Sequence, residues 1–89
     1  MTNFSVIIPA LNEEAGIASV LDRLQQLSPK PEIIVIDDGS SDKTGDIARS
    51  KGATVLRHPQ PGGYGRCLKD GMKVAAHDII AIADADGTY

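Results

Sequence analysis

The chain has 89 residues, a formal net charge of -3 and a sequence pI near 5.1, which excludes the strongly basic surface that a nucleic-acid-binding domain needs. Hydrophobic residues make up 42% and charged residues 24%, as in ordinary globular domains, so disorder and a coiled coil are both disfavoured. Aromatic residues make up only 3%, which leaves few surfaces on which bases stack. We expect one small folded domain, residues 1–89.

Cys67 is the single cysteine, so no disulfide can form within the chain. A free thiol is typical of a reducing compartment, which favours the cytoplasm. No apolar run approaches the ~20 residues that cross a bilayer. We therefore expect that this segment does not span a membrane.

The first predicted strand is the apolar run Phe4 to Ile8, and a helix is expected after it. Asn12 is a candidate N-cap for that helix, and Glu13 and Glu14 suit its first turn, where acidic side chains complement the helix dipole. The helix is predicted from apolar residues spaced three or four apart, as one buried face requires. These residues are Ile17, Val20, Leu21, Leu24 and Leu27.

The second predicted strand is Ile33 to Ile36, an unbroken apolar run that is typical of a strand buried on both faces. A second helix is predicted from Asp42 to Ser50 and would end at Gly52, with Ile47 and Ala48 facing inward.

The third predicted strand is Thr54 to Leu56, and a third helix is predicted from Gly65 to Ala76. The last strand is predicted at Ile79 to Ala83. The third helix would have one inward face. That face is formed by Leu68, Gly71, Met72 and Ala75.

This alternation of strands and helices predicts a doubly wound α/β domain, a parallel sheet with right-handed crossovers and helices on both faces. Ligands bind such sheets beyond the carboxyl ends of the strands, where the strand order reverses. Polar motifs follow each predicted strand. They are Asn12-Glu13, Asp37-Asp38-Gly39-Ser40, the segment 58–65, and Asp84-Ala85-Asp86.

The two acids of Asp84-Ala85-Asp86 stand two residues apart after a strand, so their side chains point the same way if the chain is extended. Two such carboxylates suit a hard divalent cation, which would also neutralise a diphosphate. The sequence therefore predicts a Mg²⁺ or Mn²⁺ site. The alternative is a pair of solvated loop acids.

Asp37 and Asp38 end the most apolar predicted strand, so we expect both to leave the core and line a cleft. Asp38 could accept hydrogen bonds from a base or a ribose, whereas for Asp37 the alternative is that it bonds turn amides, a common role at strand ends. Pro9 ends the first strand, and a base could lie against it. Glu13 could contact the nucleotide or only complement the helix dipole.

The glycine-rich segment 60–66 opens the third predicted helix, where backbone amides and Arg66 could approach phosphate oxygens. A flexible hinge is an equal alternative. The segment lacks the third glycine of a dinucleotide fingerprint and follows the third strand, which disfavours a nicotinamide dehydrogenase. A phosphoacceptor receiver domain is also disfavoured, because its acid pair would follow the first strand. His58, Cys67, Met72 and His77 are assigned plain core or surface roles.

Three motifs together resemble the family 2 glycosyltransferases, and most closely the dolichyl-phosphate mannose synthase and undecaprenyl-phosphate sugar transferase group. They are residues 5–14 (SVIIPALNEE), 36–44 (IDDGSSDKT) and 83–88 (ADADGT). The motifs occur in the family's order and spacing along the whole chain. The resemblance implies a Rossmann-like parallel sheet that forms the N-terminal half of the GT-A fold.

The resemblance also implies a site for a UDP- or GDP-sugar, held through Mn²⁺ or Mg²⁺ for inverting transfer, plausibly to a polyprenyl phosphate at the cytoplasmic face of a membrane. Asp84 and Asp86 would bind the metal. The nucleotide would be bound by the residues that match the family's positions. These are Pro9, Leu11, Glu13, Ile36, Asp38, Asp84 and Ala85.

The chain departs from the family pattern at Thr88, where relatives often carry a glutamine that helps to ligate the metal, and at Leu11, where they often carry tyrosine. The family's acceptor-binding half would follow Tyr89, so we expect donor binding with little or no transfer. The alternative is a truncated nucleotide-binding module without turnover. An exposed sheet edge would also favour self-association.

Overall fold

The computed structural model describes residues 3–86, which form four strands and three helices in strict alternation. In chain order they are β1 (Ser5–Ala10), α1 (Glu14–Leu24), β2 (Glu32–Asp37), α2 (Thr44–Ser50), β3 (Thr54–Arg57), α3 (Tyr64–Val74) and β4 (Ile80–Ile82). The element order predicted from the sequence is confirmed. Within residues 3–86, no helix has the length and apolar character needed to cross a membrane.

The four strands form one parallel sheet in the order β3-β2-β1-β4. The chain first moves outward from β1 through β2 to β3, and α3 then carries it back to pair β4 with the other side of β1. The strand order therefore reverses at β1. The carboxyl ends of β1, β2 and β4 meet there at one edge of the sheet, where α/β domains bind ligands.

The two faces of the sheet pack against different helices, because side chains alternate along each strand. On one face, Val6 and Ile8 of β1 pack with Ile17 and Leu21 of α1, and Ala48 of α2 belongs to the same cluster. On the other face, the buried cluster is Ile7, Ile34, Ile36 and Cys67, the last contributed by α3. The predicted doubly wound architecture, with helices on both faces, is confirmed.

The start of α1 differs from the prediction. The helix begins at Glu14, and the preceding Glu13 makes no side-chain capping bond. Asn12 is not the cap because it adopts a left-handed backbone, with φ of 54°, a conformation that asparagine tolerates better than most residues. Leu27 was predicted to belong to the buried face, but it lies beyond the end of the helix and is 46% exposed. The apolar spacing continues in the sequence past the point where the helix ends.

The inward face of α3 was also predicted in part wrongly. The buried residues of this helix are Cys67 and Gly71, whereas Met72 is 53% exposed. Gly71 lies against the sheet so closely that a Cβ there would stand 2.7 Å from Cγ2 of Ile7. This close approach centres the contact on Gly71 and Cys67 and turns Met72 toward solvent.

Candidate functional site

A cavity of about 320 Å³ opens at the carboxyl ends of β1 and β2, beside the strand-order reversal. Pro9 and Leu11 contribute an apolar wall, and Leu11 is 44% exposed. The opposite wall comes from the glycine-rich loop and the start of α3. The lining residues are Pro9, Ala10, Leu11, Asp38, Pro61, Gly63, Tyr64 and Cys67.

The acidic group in this cavity is Asp38, which is 7% exposed. Its Oδ1 accepts hydrogen bonds from Gly62 N at 2.8 Å and from His58 Nδ1 at 2.6 Å, and its Oδ2 accepts one from Gly63 N at 3.0 Å. Burial opposes ionisation of Asp38, but these hydrogen bonds outweigh it and hold its pKa below the usual value. Asp38 is therefore an oriented anion whose carboxylate also fixes the glycine-rich loop.

The glycine-rich loop was predicted either to offer amides to phosphate or to act as a hinge. Its Gly62 and Gly63 amides instead donate to Asp38. Arg66 stands 3.7 Å from Asp70 on the same helix. In the structure the loop is thus a wall of the cavity, held from below by a carboxylate.

His58 lies between two acids and is 6% exposed. Besides its contact with Asp38, its Nε2 stands 2.7 Å from Oδ2 of Asp70 on α3. The hydrogen bonds to Asp38 and then to Asp70 raise the pKa of His58, and the contact with His58 lowers the pKa of Asp70. The plain core or surface role assigned to His58 was incomplete, because the residue joins two acidic side chains.

Asp37 is 1% exposed, so its side chain stays in the core, contrary to the prediction. The prediction that the two acids line a cleft is confirmed, because Asp38 lines the cavity and Asp37 lies at the edge of a second surface pocket. Its Oδ1 accepts a hydrogen bond from Ser40 N at 3.0 Å, and its Oδ2 lies 2.7 Å from Nη1 of Arg57. The predicted bond to a turn amide is confirmed. Both acids remain buried because neighbouring cations and amides satisfy their charge.

The register of the sheet explains this pairing. Asp37 and Arg57 are aligned at the carboxyl ends of β2 and β3, and His58 N donates to the carbonyl of Asp37. Sequence analysis missed Arg57 and His58 as partners of the two acids. The signal was available, since Asp-Asp follows one predicted strand and Arg-His stands at the end of the next.

The loop between β1 and α1 is tied to the segment that leads into α2. Asn12 N donates to Ser40 Oγ, Asn12 Oδ1 accepts from Ser41 N at 2.8 Å, and Glu13 N donates to Thr44 Oγ1 at 2.9 Å. Asp42 Oδ2 also accepts a hydrogen bond from Glu14 N at 3.2 Å, so side chains at and just before the start of α2 bond the first residue of α1 and the two residues before it.

The Asp84-Ala85-Asp86 turn follows β4 on the other side of β1. Ala85 is 4% exposed and belongs to the core cluster of α1, whereas Asp84 and Asp86 are both exposed. The carbonyl of Ala85 lies against Gly16, where a Cβ would stand only 3.1 Å away. The turn is therefore anchored on α1 by its middle residue, with an acid on either side of that anchor.

A comparison with protein families now adds to this geometry. The family model described as glycosyl transferase family 2 matches residues 5–89. The chain belongs to glycosyl transferase family 2. The resemblance inferred from the three motifs is confirmed.

Solved structures of glycosyltransferases share the fold of this family 2 domain. Glucosyl-3-phosphoglycerate synthase from Mycobacterium tuberculosis, solved with Mn²⁺, UDP and glucosyl-3-phosphoglycerate, superposes with a TM-score of 0.79 at 35% identity over 94% of this chain and 33% of that one. A mannosyltransferase from Pyrobaculum calidifontis, solved with GDP-mannose and Mn²⁺, gives 0.82 at 27% identity over 93% of this chain and 27% of that one. The predicted GT-A fold is confirmed.

Among sequence relatives, the dolichyl-phosphate hexose transferase of Haloferax volcanii is 32% identical over 98% of this chain and 38% of its own length. The chain spans 35% and 37% of the length of two other curated relatives that it matches.

The residues predicted to bind the nucleotide lie in different surroundings in this glycosyltransferase domain, and Asp84 is exposed on the turn after β4. Pro9, Leu11 and Asp38 line the same cavity. The side chains of Ile36 and Ala85 are buried in the two core clusters, so any contact they make with a ligand would come through the backbone. Glu13 is half-buried at the start of α1.

Two exposed carboxylates on an anchored turn fit a hard divalent cation, which prefers oxygen ligands. The predicted departure at Thr88 lies outside the described residues.

A second group, formed by Asp38, His58 and Cys67, also has side chains of metal-binding types close together. Burial raises the pKa of Cys67 to about 11, and metal binding needs a thiolate. Both nitrogens of His58 already face carboxylates, so this group is a hydrogen-bonded network.

Proposed function

We propose that this domain binds a nucleoside-diphosphate sugar, either a UDP- or a GDP-sugar, through Mn²⁺ or Mg²⁺ and presents it for inverting sugar transfer. The observation that carries the proposal is the position of two acidic groups around the end of β1. Asp38 lies in the cavity on the β2 side, and the Asp84-Ala85-Asp86 turn lies on the β4 side.

The spacing of the strands suits the length of the ligand. Adjacent strands are ~4.8 Å apart, so the ends of β2 and β4, which flank β1, are separated by roughly 10 Å. A base and ribose placed in the cavity would therefore extend their diphosphate across β1 toward Asp84 and Asp86. Pro9 and Leu11 offer the base an apolar surface, and Asp38 offers the ribose or the base an acceptor.

Asp84 and Asp86 would hold the cation, and Ala85 would keep the turn in place through its packing on α1. When bound, the cation supplies positive charge that stabilises the departing diphosphate. An acceptor oxygen forms a bond to the anomeric carbon from the face opposite the diphosphate. The bond from that carbon to the diphosphate oxygen breaks, and the nucleoside diphosphate leaves with the electron pair, so the configuration inverts.

Calorimetric titration tests donor binding directly. UDP, GDP, UDP-glucose and GDP-mannose are each added with Mn²⁺ and then with EDTA, to wild type and to Asp86→Ala. We expect saturable binding of one base class that needs the metal, and at least tenfold weaker binding by the variant.

Asp78→Ala is the matched control, because Asp78 is also an exposed acid beside β4 but precedes the strand, at the opposite edge of the sheet. The affinity of Asp78→Ala for the nucleotide with Mn²⁺ should equal that of wild type. Binding that is unaffected by EDTA, or an equal loss in both variants, would contradict the metal role of Asp86. No binding of any nucleotide would contradict the proposal as a whole.

The alternative function is a nucleotide-binding module without turnover. It requires only the cavity beside Pro9, Leu11 and Asp38 and the acidic turn after β4. Release of free sugar or transfer to an acceptor, measured with radiolabelled donor, separates the two functions. Turnover that disappears in Asp86→Ala would exclude the pure binding module.

For the acceptor we propose a polyprenyl phosphate, because a relative at 32% identity is a dolichyl-phosphate hexose transferase. A lipid phosphate is already anionic and needs little help from a base. The free, buried thiol of Cys67 fits a reducing compartment, so we propose that the reaction occurs at the cytoplasmic face of a membrane. Transfer of labelled sugar to undecaprenyl phosphate in detergent tests this, and transfer only to 3-phosphoglycerate would contradict it.

We also propose that the domain self-associates through the β4 edge of the sheet. Among residues 3–86, β4 pairs with β1 on one side only, and Ile79 and Ile82 are 54% and 51% exposed. Such an edge combines unpaired backbone groups with apolar side chains. Sedimentation velocity should show dimers or larger species that Ile82→Lys converts to monomers, and a monomeric wild type at high concentration would contradict this.

A further inference from the structure

We propose that His58 is a positioning residue of the nucleotide cavity: its imidazolium, held between Asp38 and Asp70, fixes the Asp38 carboxylate and, through it, the turn at Gly62 and Gly63. The inference rests on the proposed function, because it assigns a role to Asp38 in nucleotide binding. It adds a residue that lies behind the cavity wall and does not line the cavity.

The hydrogen-bond pattern sets the protonation state of His58. Its Nδ1 stands 2.6 Å from Asp38 and its Nε2 2.7 Å from Asp70. An ionised carboxylate only accepts hydrogen bonds, so both nitrogens must donate, and an imidazole does so only when it is protonated. Asp38 accepts two backbone amides as well, and Asp70 has Arg66 nearby, so the shared proton belongs on the imidazole.

This arrangement links three parts of the cavity. Asp38 follows β2, His58 follows β3 and Asp70 belongs to α3, whose first residue, Tyr64, lines the cavity. Loss of the proton from His58 would leave one of the two carboxylates facing a nitrogen lone pair. We expect the Asp38 carboxylate to turn and to release the Gly62 and Gly63 amides, so that the cavity wall loosens.

The sign of the pH dependence follows from the surroundings of His58. The hydrogen bonds to Asp38 and Asp70 raise the pKa of His58. The form in which His58 is protonated and bonded to both acids is therefore present at lower pH and is lost as the pH rises through the pKa of His58. The charged and titratable groups that face His58 come from all the elements packed against it. They are Asp38 after β2, Arg57 of β3, and Arg66, Cys67, Asp70 and Lys73 of α3.

The test compares His58→Asn with His77→Asn. Asparagine keeps a neutral donor near the position of Nδ1 but removes the charge and the reach to Asp70, and His77 is the other histidine, at the opposite end of α3. The imidazole ¹⁵N signals and the Gly62 and Gly63 amide signals are followed by NMR, and the dissociation constants of UDP and GDP with Mg²⁺ are measured across the pH range in which the His58 signals titrate.

We expect wild type and His77→Asn to lose affinity as the His58 signal titrates, with the two glycine amides shifting at the same midpoint. His58→Asn should bind at least tenfold more weakly at pH 7 and show no pH step. Asp70→Asn should move the step to lower pH, and it serves as the test if His58→Asn does not fold. A purely structural role would change the unfolding temperature but leave the pH step in place.

Two kinds of failure are distinguishable. Nucleotide binding that is lost in Asp38→Ala but unchanged in His58→Asn would overturn the inference and leave the proposed function intact. No nucleotide binding by wild type under any metal would overturn both. Glycine amides that do not follow the His58 titration would also overturn the inference, whatever the affinity.

Discussion

One pair of acidic residues lies at the carboxyl end of β2 and another follows β4, and the two pairs differ in burial. After β2, Asp37 and Asp38 are buried and their carboxylates are bonded to arginine, histidine and backbone amides. After β4, Asp84 and Asp86 are exposed on a turn anchored by Ala85. The first pair is buried within the protein's own framework, whereas the second lies at the surface, where a ligand with its own positive charge can approach.

Acidic residues that follow a parallel strand can therefore serve two different purposes. A carboxylate that the protein neutralises itself contributes to stability and orientation, because its charge is satisfied before any ligand arrives. A carboxylate that stays in solvent contributes little to stability but can still bind a cation. Stability and metal dependence should therefore separate cleanly between the two pairs.

The largest expected effect on stability comes from Asp38→Ala. The change leaves the Gly62 and Gly63 amides and the His58 imidazolium without their carboxylate, so we expect a loss of about 2–3 kcal/mol in the free energy of unfolding. Urea unfolding measures it. The control is Asp46→Ala, since the Asp46 side chain is 79% exposed, and an equal loss in both variants would break the comparison.

Gly45→Ala should cost slightly less, about 2 kcal/mol. A Cβ at Gly45 would stand 2.6 Å from Oδ2 of Asp37, an oxygen that also contacts Arg57. Gly65→Ala is a matched control, because Gly65 is also the second residue of its helix and has open space around it. That variant should be as stable as wild type or up to about 1 kcal/mol more stable. A Gly45→Ala variant as stable as wild type would show that the Asp37 side chain can move away from Gly45 at little cost.

Low pH should lower the free energy of unfolding by less than the two substitutions above, because it protonates the buried acid Asp38 and its neighbour Asp70. The pKa values of Asp38 and Asp70 are lowered, so the stability they contribute is fully present above the unfolded value of ~3.9 and is lost as the pH falls through their folded pKa values. Urea unfolding at pH 5 and pH 2.5 should therefore show a smaller acid-induced loss in Asp70→Asn than in wild type. Equal losses would contradict the pairing with His58.

The smallest effect on stability is expected for the double variant Asp84→Asn, Asp86→Asn. Both side chains are exposed, so the free energy of unfolding should stay within about 0.5 kcal/mol of wild type. The stabilisation that Mn²⁺ with UDP or GDP gives to wild type in thermal unfolding should nevertheless disappear. A large loss of intrinsic stability in the variant would show that these acids also belong to the framework.

The sequence predicted the elements, their order and the two-faced sheet because apolar spacing alone carries that information. It did not predict the partners of Asp37 and Asp38, because these depend on the register between β2 and β3, which aligns Asp37 with Arg57. The side chains that bond the residues just before α1 were missed for a similar reason. Ser40, Ser41 and Thr44 bond the loop before α1 from about thirty residues away.

The site itself was only partly readable from sequence. Pro9, Leu11 and Asp38 were singled out and do share one cavity, since carboxyl ends of neighbouring parallel strands must meet. Tyr64 and the loop amides could not be assigned, because the path of segment 58–63 depends on its bonds to Asp38. The metal role of Asp84 and Asp86 stays a prediction.

The strand order also has a consequence for synthesis on the ribosome. β1 ends at Ala10 and its second neighbour, β4, begins only at Ile80, so one edge of β1 waits roughly 4 to 14 seconds for its partner at ~5–20 residues per second. During that interval the nascent chain carries an apolar strand with an open side. Chaperones that hold extended apolar segments should therefore bind this chain mainly before β4 emerges, and release it once β4 pairs with β1.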